Sequence, residues 1–197
     1  MRKYLVIGNP IEHSLSPKLH NYWIKNNNIN AIYEKQKLEK DEIENLILKV
    51  KEKKLHGINI TVPFKKAVIP FLDKLSLEAE KTQSVNTIYL YNNKIIGHNT
   101  DIDGFEFVLK NLKFNLNKKK VFILGAGGVV PSIIFALNKM NVSLITISNR
   151  TRDKANDMKN LFKDLNVVDW GNVPEFDMII NATSIGLNKD DKINLDL

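Results

Sequence analysis

Strand-length apolar segments recur through the first half of the chain, near 4–8, 31–37, 57–61, 85–91 and 94–98, separated by polar and turn-forming residues. Segments of that length and composition predict buried strands. Between them the apolar spacing changes to threes and fours. Ile43, Leu46, Ile47 and Val50 predict one face of a helix over 41–54. Ser16 before Pro17 predicts an N-cap and first turn, with Leu19, Trp23 and Ile24 facing inward. Asn92-Asn93 predicts a hairpin turn between the last two strands.

A polar stretch over 115–120 resets the pattern. Beyond it the sequence predicts strands at 121–124, 142–148 and 176–181, with helices at 129–139 and near 152–163. Alternating strands and helices imply an α/β fold with a largely parallel sheet. The division falls near 99–102, giving an N-terminal α/β substrate domain (1–101) and a Rossmann-like dinucleotide-binding domain (102–197). The 101–112 helix bridges them in this reading.

Composition narrows the picture. With 197 residues, 43% of them hydrophobic, the chain can bury a real core. It has no cysteine, which excludes disulfides and thiolate metal sites and suits a reducing cytoplasm. No metal site is predicted. No apolar run reaches the roughly 20 residues that span a bilayer. The apolar residues after Met1-Arg2-Lys3 are too few for a signal peptide and read as a first strand. Net charge is +7, but the basic residues are almost all lysine and are interleaved with acids. A nucleic-acid groove would show arginine clusters or aromatic platforms, so neither nucleic acid nor membrane is an expected partner.

Gly125-Ala126-Gly127-Gly128 follows a predicted strand and opens a predicted helix, the context that makes a glycine loop a dinucleotide site. Small residues let the backbone approach a pyrophosphate at the helix N-terminus. Val130 stands at the third glycine position, and Pro131 is tolerable in a first turn. A tight turn without ligand is the plainer alternative. The next strand end carries Asn149, Arg150, Thr151, Arg152 and Lys154 where an NAD site would place an acid. Arginine can grip a 2′-phosphate, so NADP is the expected cofactor.

In the first half, Thr61-Val62-Pro63-Phe64-Lys65 and Asn99-Thr100-Asp101 each put an ionisable residue at a strand end, where open α/β sheets bind ligands. Lys65 and Asp101, brought together, could hold and move a proton; solvated lysine and helix-capping aspartate are the ordinary alternatives. Ser14 and Ser16 precede a helix and suit a carboxylate, although Ser16 also reads as a simple N-cap. Asn86 is a polar group at the start of an apolar strand, suited to reading a hydroxyl. His13 reads as a structural loop residue.

Together these motifs resemble the shikimate dehydrogenase family. The resemblance rests on Ile7–Ile11, His13–Pro17, His20-Asn21, Asn59–Lys65, Val85–Thr87, Asn99–Asp101 with Gly104, Gly125–Gly128, Asn149–Thr151 and Asn181–Gly186, in family order over nearly the whole chain. It implies NADPH-dependent reversible reduction of 3-dehydroshikimate to shikimate in aromatic amino-acid biosynthesis. It further implies that Ser14 and Ser16 bind the substrate carboxylate, and that Thr61, Lys65, Asn86 and Asp101 bind ring hydroxyls. Lys65 and Asp101 are the implied catalytic residues, with Lys65 as acid/base. Gly125, Ala126, Gly127, Gly128 and Val129 would cradle the pyrophosphate, and Asn149 to Lys154 the adenosine phosphate. Family members continue beyond the point matching Leu197, so a C-terminally truncated, weakly active dehydrogenase is expected, with a homodimer as the family's assembly. A quinate/shikimate dehydrogenase and a catalytically silent ligand-binding fragment are the alternatives.

Overall fold

The computed structural model describes every residue except Lys113, Leu187, Asn194, Asp196 and Leu197. It divides into two compact units, Met1–Thr100 and Asp101–Leu197.

The first unit runs β1 (Arg2–Gly8), α1 (Ser16–Asn26), β2 (Ala31–Lys37), α2 (Ile43–Lys51), β3 (Gly57–Ile60), β4 (Lys74–Leu75), α3 (Leu77–Thr82), β5 (Thr87–Tyr91) and β6 (Lys94–His98). A 3-10 turn over Lys40–Glu42 leads into α2. The six strands form one sheet in the order β2-β1-β3-β5-β6-β4. β1 is parallel to β2 and β3, whereas β5 runs antiparallel to β3 and β6. Five of the six strands therefore run the same way and β5 alone is reversed, so the sheet is largely parallel with one antiparallel strand inside it. The reversal comes from the β5–β6 hairpin, whose Asn92 and Asn93 sit at φ +47° and +59°. Asparagine accepts that left-handed geometry more readily than most residues.

Side-chain alternation along β1 divides the core. Leu5 and Ile7 join Ile43, Leu46, Ile47 and Val50 of α2 on one face. Val6 points the other way, to Ile11 and Tyr33. The helical face predicted for α2 is buried. α1 behaves differently, with no fully buried residue. Of the three apolar residues expected inward, Leu19 and Trp23 are 47% and 48% exposed, and Ile24 packs against the Tyr33 cluster. Hydrogen bonds from Asn21 to the backbone of the edge strand β2 hold the helix in place.

The second unit runs α4 (Asp101–Asn111), β7 (Lys120–Leu124), α5 (Val130–Lys139), β8 (Leu144–Ser148), α6 (Arg152–Asp157), β9 (Asn166–Val168) and β10 (Met178–Asn181). Its sheet is wholly parallel, in the order β10-β7-β8-β9. This is the doubly wound arrangement of a Rossmann-like domain. β7 is a continuous apolar run after Lys120, and β8 is buried on both faces from Ile145 to Ser148 although Thr146 and Ser148 are polar, because both faces of these strands are covered. The helix expected over 152–163 is shorter: α6 ends at Asp157 and a 3-10 turn follows over Met158–Asn160. α4 is tied to α5 through Glu106, a nearly buried carboxylate that pairs with Lys110 at 3.4 Å and Lys139 at 2.5 Å.

Candidate functional site

In the first unit the polar motifs gather at the ends of adjacent strands. The loops after β1 and β3 are braced against each other: Asn9 N–H donates to the Val62 carbonyl, and Thr61 N–H to that of Ile7. Gly8 makes the approach feasible, since a Cβ there would lie 2.6 Å from Thr61 Cγ2. Phe64 is 4% exposed and pins the second loop, leaving Lys65 half-buried beside it. The Lys65 carbonyl accepts from Val85 N–H at 2.9 Å, which sets the lysine next to the Val85-Asn86-Thr87 strand start.

Ser14 and Ser16 share one turn. α1 begins at Ser16 itself, with Leu15 in the N-cap position and no side-chain cap. The hydroxyl that meets the helix start belongs to Ser14, whose Oγ accepts Ser16 N–H at 3.4 Å. The N-cap role expected for Ser16 is thus not found, because the helix starts one residue earlier than that role requires.

Asn86 sits in a polar cluster. Its Oδ1 accepts from Thr100 N–H at 3.0 Å and from Thr87 Oγ1 at 3.0 Å, while its Nδ2 donates to Thr100 Oγ1 at 2.9 Å. Thr100 is held in turn by Asn99, fully buried, whose Nδ2 donates to Thr82 Oγ1 and the Ser84 carbonyl. Behind Asn86, Asn59 Nδ2 donates to Thr87 Oγ1 at 3.1 Å, and Tyr33 Oη donates to Asn59 Oδ1 at 2.7 Å. Burial pushes the Tyr33 hydroxyl far above its ordinary pKa and His20 below its own, so both are neutral near pH 7. Tyr33, Asn59 as a positioning group and Thr100 escaped the sequence reading. Their partners lie 14 to 28 residues away in the chain.

In the second unit, Asp101 opens α4. The glycine loop leaves β7 at Gly125, where φ is +107° and a Cβ would lie 2.7 Å from the Ala182 carbonyl oxygen. Gly125 N–H donates to Ser148, and Ala182 N–H to Leu124, so the loop is stitched to both neighbouring strands. A crevice of about 220 Å³ opens beside it, walled by Gly125, Ala126 and Gly127, by Asn149, Arg150, Thr151 and Lys154, and by Trp170 and Ala182–Ile185. Asn181 shapes the last wall, accepting from Thr183 N–H and donating to the Ile185 carbonyl.

This lining fits a phosphorylated dinucleotide. It contains two cations and no carboxylate. Among the described residues the Ala126 and Gly127 N–H groups donate to no protein acceptor. A Cβ on Gly127 would approach nothing closer than 4.0 Å, so that glycine leaves space that its own fold does not need. Gly128 and Val129 form the turn into α5. Arg152 does not line the crevice; its guanidinium pairs with Asp169. Trp170 was not anticipated as a wall residue.

Two family descriptions match the chain in sequence. Residues 6–88 match the shikimate dehydrogenase substrate binding domain, and residues 106–188 match shikimate / quinate 5-dehydrogenase. A shikimate dehydrogenase (NADP(+)) of Pelagibacter ubique is 59% identical over 194 residues, covering 98% of this chain and 73% of that protein. The crystal structure of shikimate dehydrogenase from Aquifex aeolicus superposes with a TM-score of 0.88 at 38% identity, over 98% of this chain and 72% of that one. Shikimate 5-dehydrogenase from Thermus thermophilus, solved in complex with NADP(H) and shikimate, gives 0.85 at 30% identity, over 95% and 70%.

Proposed function

The chain belongs to the shikimate dehydrogenase family, and on that premise we propose that it catalyses NADPH-dependent, reversible reduction of 3-dehydroshikimate to shikimate in aromatic amino-acid biosynthesis. The observation that carries this reading is the pairing, in one chain, of the Asn86–Thr100 polar cluster with a cationic, acid-free glycine crevice. The first suits a polyhydroxylated ring and the second a phosphorylated dinucleotide.

When bound, NADPH supplies the hydride. The chain supplies everything around it. Ser14 and Ser16, with the backbone donors of the α1 start, receive the substrate carboxylate. Thr61, Asn86 and Asp101 take ring hydroxyls. Lys65 gives its proton to the C3 oxygen as negative charge develops there, and takes it back in the oxidative direction. Gly125 to Val129 approach the pyrophosphate. Arg150 and Lys154 neutralise the adenosine phosphate, with Asn149 and Thr151 shaping the loop; Arg152 contributes through its hold on Asp169.

The cysteine-free composition supports a cytoplasmic setting, and a homodimer is the assembly carried by the resemblance, to be tested by light scattering. The function is tested by following NADP reduction with shikimate and with quinate as alternative substrates. Shikimate oxidation well above quinate oxidation is expected. Turnover of neither, with no binding of either acid, would overturn the assignment.

A further inference from the structure

Four side-chain hydrogen bonds lead in one direction from Tyr33 to Thr100, and Thr100 closes the chain by donating its hydroxyl at 3.2 Å and its N–H at 3.0 Å back to Asn86 Oδ1. Tyr33 Oη donates to Asn59 Oδ1 at 2.7 Å, and Asn59 Nδ2 donates to Thr87 Oγ1 at 3.1 Å. Thr87 Oγ1 donates to Asn86 Oδ1 at 3.0 Å, and Asn86 Nδ2 donates to Thr100 Oγ1 at 2.9 Å. Each hydroxyl passes its proton into a carboxamide oxygen, and each carboxamide passes an N–H to the next hydroxyl. Aligned chains of this kind polarise one another and act as a unit.

A carboxamide can be turned by 180° at little steric cost, so its orientation is decided by its partners. Asn59 is fixed at its oxygen by the Tyr33 hydroxyl, and at its nitrogen by Thr87 Oγ1 and the Asn86 carbonyl at 3.2 Å. Tyr33 is the origin of the chain. It is 4% exposed, and its ring is stacked on His20 with centroids 4.1 Å apart and planes 3° from parallel. Packing beside Val6 and Ile11 closes its other surroundings. A tyrosine held this way has one direction in which to point its proton.

We propose that Tyr33 is a positioning residue for substrate recognition: through Asn59 and Thr87 its hydroxyl, together with the Thr100 N–H, holds the orientation of the Asn86 carboxamide, and so which group Asn86 offers to a ring hydroxyl. The proposal rests on the reading of Asn86 as a substrate-binding residue. Nothing about the reaction needs Tyr33 to touch the ring acid. Its effect travels through two intervening side chains, and the neutrality of its hydroxyl keeps it a donor throughout the physiological pH range.

The test compares Tyr33→Phe, which removes only the hydroxyl and keeps the stacked ring, with Val6→Ala, which thins the same apolar cluster without touching the chain. Shikimate and NADP affinities are measured by calorimetry, and stability by thermal melting. Tyr33→Phe is expected to weaken shikimate binding about tenfold, the effect of one lost buried hydrogen bond, with NADP binding unchanged. Val6→Ala is expected to lower the Tm at least as much and leave shikimate affinity within about twofold. Equal affinity in Tyr33→Phe and the wild type, or equal losses in both variants, would overturn the proposal. A wild-type chain that binds no shikimate would instead refute the functional reading. In that event side-chain amide NMR still decides the positioning role: the Asn59 and Asn86 NH₂ resonances shift and lose protection in Tyr33→Phe if it holds, and stay in place if it does not.

Discussion

Asn21 grips the main chain of Tyr33 on both sides of one residue, its Oδ1 accepting the Tyr33 N–H at 3.0 Å and its Nδ2 donating to the Tyr33 carbonyl at 2.7 Å. β2 is an edge strand with β1 as its sheet neighbour, so the carboxamide stands where another strand would otherwise pair. Removing it leaves a backbone donor and acceptor without partners under α1. Asn21→Ala is expected to cost about 2 kcal/mol, read from the urea midpoint. Asn27→Ala, which loses one exposed bond to the Trp23 carbonyl, is expected to cost under about 1 kcal/mol.

The two glycines of the dinucleotide loop separate folding from binding. At Gly125 a methyl group would collide with the Ala182 carbonyl oxygen, and the residue holds φ +107°. Gly125→Ala is therefore expected to destabilise the second unit by more than about 2 kcal/mol. Gly127→Ala meets no protein atom closer than 4.0 Å. It is expected to melt like the wild type and yet lose NADP affinity by about tenfold or more, because its methyl occupies the space left for the pyrophosphate. Calorimetry beside thermal melting separates the two outcomes.

Lys65→Ala tests the assigned acid. Turnover should fall by about 10²- to 10⁴-fold, the range of general-acid contributions, while the Kd for NADP stays within about twofold, since no cofactor contact is assigned to Lys65. Retained turnover would move the proton donor to another group.

His20 gives stability a pH dependence. Burial lowers its folded-state pKa below the ordinary histidine value of about 6.5, so the unfolded chain binds the proton more readily. The stabilisation is complete above about pH 6.5 and is lost as pH falls through that value toward the folded pKa. His20→Phe, which can keep the stack on Tyr33, is expected to show a smaller loss of stability between about pH 7.5 and 5.5, as followed by urea titration.

Glu106 bridges two lysines from inside the second unit, its side chain 10% exposed against 68% for Lys110 and 46% for Lys139. Removing one cation leaves a carboxylate in a poor solvent. Lys139→Ala is expected to destabilise the unit by about 1–3 kcal/mol, whereas Glu106→Leu, which removes the buried charge altogether, should be nearly neutral. Chemical denaturation of the two variants side by side checks the ranking.

Periodicity made most of the fold legible. The Ile43–Val50 face and the β7 and β8 runs are patterns that burial imposes on sequence, and each appears where the spacing puts it. β4 and β9, of two and three residues, are too short to carry a period and were missed. α3 was missed as well, although Ser76 accepting Ala79 N–H at 3.2 Å is a cap that its sequence advertises. Leu19 and Trp23 mislead for another reason: helical spacing reports amphipathicity, and α1 presents part of its apolar face outward. The polar motifs were visible as motifs. Which of them join was not, because Tyr33, Asn59, Thr87 and Asn86 meet only through strand pairing across the sheet.

Gly8 ties the loop of Ser14 and Ser16 to the loop of Thr61 and Lys65, with no room for a single methyl between the strand end and Thr61. The two loops therefore form one mechanical part. A change that shifts the residues assigned to the acid end of the ligand also shifts those assigned to its ring. Selection acting on this chain cannot retune one end of its ligand preference while holding the other still. A change of substrate has to come from side chains exchanged in place on a fixed frame.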